Sequence, residues 1–224
     1  MIPRKLIDTA KVPGGGGELR LMQRGQEFSI MLGQNELMSS RLSGSEEALA
    51  TLACRQLQAV TDPHMLIGGL GIGFTLRAAL KVLGPQARLV VAELVPAVVQ
   101  WARGPMSALH GDSLSDPRVE IHEGDVADVI AGAPASFDAI LLDVDNGPEG
   151  LTRESNSLLY NVNGLNAAKA ALKPGGVLSV WSSFPDPVFA KRLREAGYAV
   201  NEINLRATGK GGGARHVIWM ATKP

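Results

Sequence analysis

The most informative run in the chain is Met65-Leu66-Ile67-Gly68-Gly69-Leu70-Gly71-Ile72-Gly73. Three apolar residues read as the end of a short buried strand. They lead directly into glycines, after which residues 73–83 carry apolar side chains at helical spacing. Glycines in such a turn let a ligand come close to the backbone and meet the unsatisfied N–H groups of a helix N-terminus. A bare G-x-G-x-G is a weak signal, because the same turn can join a strand to a helix with no ligand at all. The surrounding sequence therefore carries the case.

Downstream, short apolar runs at 88–93, 119–122 and 137–143 alternate with helical spacing at 96–103 and 126–131, and a further strand is read at 64–68. A β-α-β-α order implies a parallel sheet with helices on both faces. A helix near 165–172 is expected to stop at Lys173-Pro174-Gly175-Gly176, followed by a strand at 177–182, a helix at 188–195 and strands at 199–205 and 216–221. The last two are joined by Gly209-Lys210-Gly211-Gly212-Gly213, too short for a crossover helix, so they are expected to pair antiparallel or to lie as neighbours through a loose hairpin.

Upstream, apolar residues alternate between 18 and 40, with turns at Arg24-Gly25-Gln26 and Gly33-Gln34-Asn35, which reads as a small antiparallel β element. Residues 1–17 are polar and glycine-rich, without the pattern of a signal peptide. Ser43 or Ser45 is expected to cap a helix beginning at Glu46. The expected organisation is an N-terminal β element over 1–44 and a Rossmann-like nucleoside-binding domain over 45–224. The expected fold class is α/β, a Rossmann-like sheet of the class I S-adenosylmethionine methyltransferase type with an antiparallel C-terminal strand pair.

The chain has 224 residues, 45% of them apolar, enough for one sizeable core. Its 22 basic and 22 acidic residues are intermixed, so nothing predicts a nucleic-acid or anionic-membrane partner, and no apolar run of spanning length occurs. A cytoplasmic protein acting on a small molecule is expected. Cys54, the single cysteine, reads as a buried thiol, and His64, His110, His122 and His216 lack ligand spacing, so no metal site is predicted.

Four acidic positions follow the strands. Glu93 ends the strand after the turn, where a carboxylate can accept both ribose hydroxyls of a nucleoside. Asp125, in Glu123-Gly124-Asp125, either reads an adenine amino group or simply caps the next helix. Asp143 and Asp145, in Asp143-Val144-Asp145-Asn146-Gly147-Pro148, stand at the carboxyl edge of the fourth strand and are the catalytic candidates. With Gly69, Gly71 and Gly73, the residues Glu93, Asp125 and Asp143 make up the predicted nucleoside site.

These residues, in this order, resemble the spermidine synthase family, the aminopropyltransferases built on the methyltransferase fold. Gly68–Gly73 matches the family's turn, Glu93 its ribose acid, Gly124-Asp125 its adenine motif and Asp143 the first acid of its catalytic motif. The resemblance implies that Asp143 acts as general base for an attacking amine, that the cosubstrate is decarboxylated S-adenosylmethionine with methylthioadenosine as product, and that the protein is a homodimer involving the N-terminal β element. Glu36, Glu46, Asn146 and Tyr160 are the expected substrate-side residues, with Asn161 beside them at the mouth.

The sequence also departs from the family pattern. Gly71 stands where the turn carries an acid, Ser45-Glu46 replaces a Tyr-His pair, Glu36 replaces a glutamine, and Asn146 replaces the second catalytic acid, with Asp145 one residue early. Without the turn acid, intact S-adenosylmethionine, leaving S-adenosylhomocysteine, remains an alternative cosubstrate, which would make the protein a small-molecule methyltransferase. A non-catalytic nucleoside-binding protein is the third reading. Glu36 and Glu46 also read as a solvated edge residue and a helix-start acid.

Overall fold

The computed structural model describes residues 2–144, 147–148, 156–206 and 214–224. The catalytic candidate Asp145, the predicted substrate-side residue Asn146 and the glycine-rich connection at 209–213 lie outside the described residues.

Two sheets form. The first is a four-stranded antiparallel sheet in the order β1 (Lys5–Lys11), β2 (Glu18–Arg24), β3 (Glu27–Leu32), β4 (Asn35–Ser39). It is one strand larger than the alternation at 18–40 predicts. A bulge between Leu6 and Asp8 breaks the period-2 pattern of β1, so its backbone pairing with β2 left little trace in hydrophobicity.

The chain then enters α1 (Gly44–Gln56) and the second sheet, whose elements are β5 (His64–Gly68), α2 (Phe74–Val82), β6 (Arg88–Glu93), α3 (Pro96–Arg103), α4 (Ser107–His110), β7 (Val119–Glu123), α5 (Val126–Gly132), β8 (Phe137–Leu142), α6 (Asn156–Tyr160), α7 (Val162–Ala171), β9 (Leu172–Ser182), α8 (Pro187–Glu195), β10 (Ala199–Arg206) and β11 (Arg215–Thr222). Its strand order is β10-β11-β9-β8-β5-β6-β7. Strands β7, β6, β5, β8 and β9 are parallel, and β11 pairs antiparallel with both β9 and β10. This is the predicted α/β class.

The segment Lys173-Pro174-Gly175-Gly176, read as a stop between helix and strand, lies inside β9. The register shifts between Phe137 and Ala139 of β8, and the Lys223 main chain takes up the glycines: Gly175 N–H donates to its carbonyl at 3.1 Å and its own N–H donates to Gly176 at 2.8 Å. A bulge absorbs residues that look like a turn. Between β8 and α7 the chain forms α6, whose Leu159 and Tyr160 are buried.

From β5 the chain winds outward through β6 and β7, then returns to the other side of β5 to lay down β8 and β9. The strand order thus reverses between β5 and β8, and a crevice opens at the carboxyl ends of such neighbours. The glycine turn leaves β5 and Asp143 follows β8, so the topology itself brings them together. The antiparallel sheet shares a core with this edge: Leu21 and Ile30 belong to the same buried cluster as Ile67, Leu70 and Val95. No helix among the described residues is long and apolar enough to cross a membrane.

Candidate active site

A cleft lies over the carboxyl ends of β5, β6, β7 and β8, where open α/β sheets bind their ligands. Gly69 and Gly71 line it on one side and Glu93 on another, while Asp125 and Asp143 close it from the adjoining strands and Val12, Leu19 and Ile30 roof it from the small sheet.

The glycines are required by close approach. Gly69 has φ +91°, its N–H donates to Ala92 at 2.8 Å, and a β-carbon there would collide with the Asp143 carbonyl oxygen. Gly69→Ala combines a left-handed conformation with that overlap and is expected to cost about 2–4 kcal/mol, read as a lower urea midpoint at unchanged slope. Gly71 has φ +50°, and a β-carbon would stand 2.5 Å from the Met38 sulfur. No side chain fits at Gly71 unless Met38 moves. Gly73, in left-handed conformation before α2, lies against the His110 ring. Burial, and the nearby Arg77, push the His110 pKa down to about 4, so it is a neutral packing group.

Glu93 is 7% exposed. One carboxylate oxygen accepts from Leu70 N–H at 2.9 Å and Gly71 N–H at 3.5 Å, and the other from Val95 N–H at 2.9 Å. Burial raises its pKa, and these backbone donors oppose the rise. The side chain therefore holds the glycine turn in shape as well as facing the cleft. Asp125 caps α5, accepting from Ala127 N–H at 3.0 Å, while also lining the cleft, so capping and base recognition do not exclude each other here.

A second cleft of about 410 Å³ adjoins the first, and Gly71, Met38, Leu37 and Asp143 line both. Its other walls include Glu46 at the start of α1, Gly73 and Trp181 at the end of β9. Thr75 on α2 donates to Asp143 Oδ2 at 2.6 Å and lies 3.3 Å from the Glu46 carbonyl, joining the two acids' neighbourhoods. Burial pushes the Asp143 pKa up to about 7, with the Glu46 charge adding to the rise and the Thr75 hydroxyl opposing it. Glu46 is also raised, chiefly by burial. A carboxyl poised near neutrality in a cleft is suited to take and return a proton.

Other predicted residues lie elsewhere. Glu36 accepts from Arg4 at 2.9 Å, Arg41 at 3.1 Å and Ser29 at 3.0 Å, so its charge is matched within the small sheet, and it lines neither cleft. Tyr160 packs edge-on against Phe189, centroids 5.6 Å apart, in the core beneath α7. Asn161 accepts from Gly164 N–H and caps that helix. The structure supplies two residues that sequence reasoning left unassigned at the site: Thr75 and Met38. A threonine among Phe74, Leu76 and Ala78 was the one local clue, as a polar group on an otherwise apolar helix face. Cys54 is buried and its thiol pushed up to about 11, which removes it as a nucleophile. Among the described residues no cluster of three His, Cys, Asp or Glu side chains could hold a metal.

With this geometry in place, the comparison with known proteins is direct. The model of the spermine/spermidine synthase domain matches residues 46–191, from Glu46 through most of α8. The chain belongs to this family. Among curated relatives, a polyamine aminopropyltransferase of Mycobacterium tuberculosis is 33% identical over 63% of this chain, and one of Nitrosomonas europaea is 35% identical over 61%. The matches span 28% and 42% of those proteins' own lengths, so this chain corresponds to a part of each. In three dimensions the spermidine synthase of Thermotoga maritima superposes with a TM-score of 0.76 at 19% identity, covering 98% of this chain and 73% of that one. At that identity the likeness speaks for the fold. In this family member Gly69, Gly71, Glu93, Asp125 and Asp143 line the first cleft, and Glu46 and Asp143 line the second.

Proposed function

We propose that this protein transfers an aminopropyl group from decarboxylated S-adenosylmethionine to an amine. The supporting observation is the chemistry of the second cleft: the described residues lining it include two acids, Glu46 and Asp143, and no base. A cationic chain is attracted to such a site, and the carboxylate of an intact methionine tail is repelled. The loss of the acid at Gly71 therefore leaves the choice of cosubstrate with Glu46 and Asp143. The first cleft would hold the nucleoside, with Glu93 at the ribose, Asp125 at the adenine and the glycine turn along the tail.

A bound sulfonium supplies an activated carbon and a neutral thioether leaving group. The acceptor must present a neutral nitrogen, and an alkylamine near neutral pH is protonated. Asp143 takes that proton. The nitrogen lone pair then forms the new N–C bond while the C–S bond breaks and its electron pair stays on sulfur as methylthioadenosine leaves. Burial serves this step twice, by raising the basicity of Asp143 and by strengthening the hold of the acids on cationic reactants. The homodimer expected from the resemblance, and the amine acceptor, belong to the same proposal, and the curated relatives' name supports the acceptor class.

The test is a paired assay with purified protein, a panel of di- and polyamines, and either decarboxylated or intact S-adenosylmethionine. Methylthioadenosine is expected from the decarboxylated form, which should also bind at least about tenfold more tightly in calorimetry, since its tail is spared the carboxylate's repulsion and its ammonium meets an acid. Tighter binding of the intact form with release of S-adenosylhomocysteine would instead establish the methyltransferase, and tight nucleoside binding without product from any acceptor would establish a non-catalytic protein.

A further inference from the structure

Glu46 is tied to the last strand of the sheet by a short hydrogen-bonded chain. Ser45, fully buried, donates its hydroxyl proton to Glu46 Oε2 at 2.6 Å, and its oxygen lies 2.8 Å from His216 Nδ1, 171 positions away in sequence. A hydroxyl has one proton. With that proton directed at the carboxylate, the approach of Nδ1 is satisfied when the imidazole nitrogen carries a hydrogen and donates to Oγ. The ring is held for this by an edge-on contact with Trp181, centroids 4.9 Å apart, and Trp181 itself walls the second cleft. Burial lowers the His216 pKa and so favours the neutral ring.

With Glu46 ionised, the chain runs from imidazole N–H to hydroxyl to carboxylate. Donors aimed at a carboxyl favour its ionised form. We propose that Ser45 and His216 make Glu46 the standing negative charge of the second cleft, the anchor for a cationic chain, and so leave Asp143 as the proton acceptor. Two half-buried acids facing one cleft do not ionise together easily, and a device that decides which is charged separates anchor from base. The other groups facing the pair fit this division. Glu47, adjacent on α1, bears on Glu46 as a like charge and is offset by Arg77 of α2; Thr75 is the neutral donor on Asp143; and His216 meets Trp181 and Ser45. Ser45 and His216 act through Glu46 and are positioning residues.

This inference rests on the amine-transfer reading for its purpose but not for its test. Carboxyl carbons of Glu46 and Asp143, ¹³C-labelled, are titrated by NMR in the wild type, S45A, H216F and H216N. Phenylalanine keeps the ring packing and removes the donor, whereas asparagine keeps an N–H near Nδ1. In the wild type Glu46 is expected to lose its proton before Asp143. In S45A and H216F the Glu46 midpoint should rise by about one pH unit while that of Asp143 falls, and H216N should stay near wild type. A fall at Asp143 is something general loosening of the fold would not produce in company with a rise at Glu46. In parallel, calorimetry with 1,4-diaminobutane in the presence of methylthioadenosine should show about fivefold weaker binding for S45A and H216F, with H216N within twofold. If the wild type binds no diamine, the amine reading fails while the titrations still judge the device. Unchanged midpoints in both S45A and H216F, or equal behaviour of H216F and H216N, would overturn it. Should S45A fold poorly, the half-buried H216F carries the same test.

Discussion

Asp143→Asn is expected to lower turnover by about 100-fold or more while nucleoside affinity stays within about threefold. The amide keeps the size of the side chain and an oxygen to accept from Thr75, now at 2.6 Å from Oδ2, but it cannot take a proton from the amine. The pH dependence gives a second reading of the same role. A base works deprotonated, so with Asp143 held at about 7 by burial and by Glu46, wild-type kcat/KM should climb as pH rises through that region and level off above it. In Asp143→Asn the residual rate should no longer show that limb. Single-turnover measurements across pH 5.5–9 with decarboxylated S-adenosylmethionine separate the chemical step from release, over a range of about two units either side of neutrality. A variant that turns over at the wild-type rate would remove Asp143 as base and pass the role to Asp145.

The second large effect belongs to Glu93. Glu93→Ala removes the acceptor for three backbone N–H groups, those of Leu70, Gly71 and Val95, and a carboxylate that lines the cleft. Nucleoside binding should weaken by about 1.5–3 kcal/mol, the loss of two charge-assisted hydrogen bonds. Stability should fall as well, by about 1–3 kcal/mol, because the turn's donors are left without their acceptor. Glu93→Gln, which keeps one carbonyl oxygen for Leu70, is expected to recover most of the stability and little of the affinity. Calorimetry with methylthioadenosine and thermal unfolding measure the two losses separately, and unchanged affinity in the alanine variant would show that the nucleoside lies elsewhere.

In the proposed reaction Glu46 and Asp143 take the part that the resemblance assigns to an acid in the turn. Met38 fills the space over Gly71, and the acids that remain are approached from α1 and β8 rather than from the turn itself.

Several features were legible in the residues alone because their causes are local. The strands 64–68 and 88–93 and the helix at 96–103 agree with β5, β6 and α3 residue for residue, since apolar runs bounded by glycine, proline and charge set their own limits. Gly69, Gly71 and Gly73 have positive φ, as a turn rich in glycine suggests. Tertiary structure decided everything that depends on long-range pairing. The bulge in β1 and the one across Lys173-Pro174-Gly175-Gly176 follow from which backbone groups find partners, and side-chain periodicity does not record that. Glu36 and Glu46 look alike in sequence, as acids near turns, yet Arg4 and Arg41 converge on the first while Ser45 and a histidine from the final strand converge on the second. A carboxylate's chemistry is set by burial and by the donors around it, and those arrive from positions as distant as 171 residues along the chain, brought together by the strand order of one sheet.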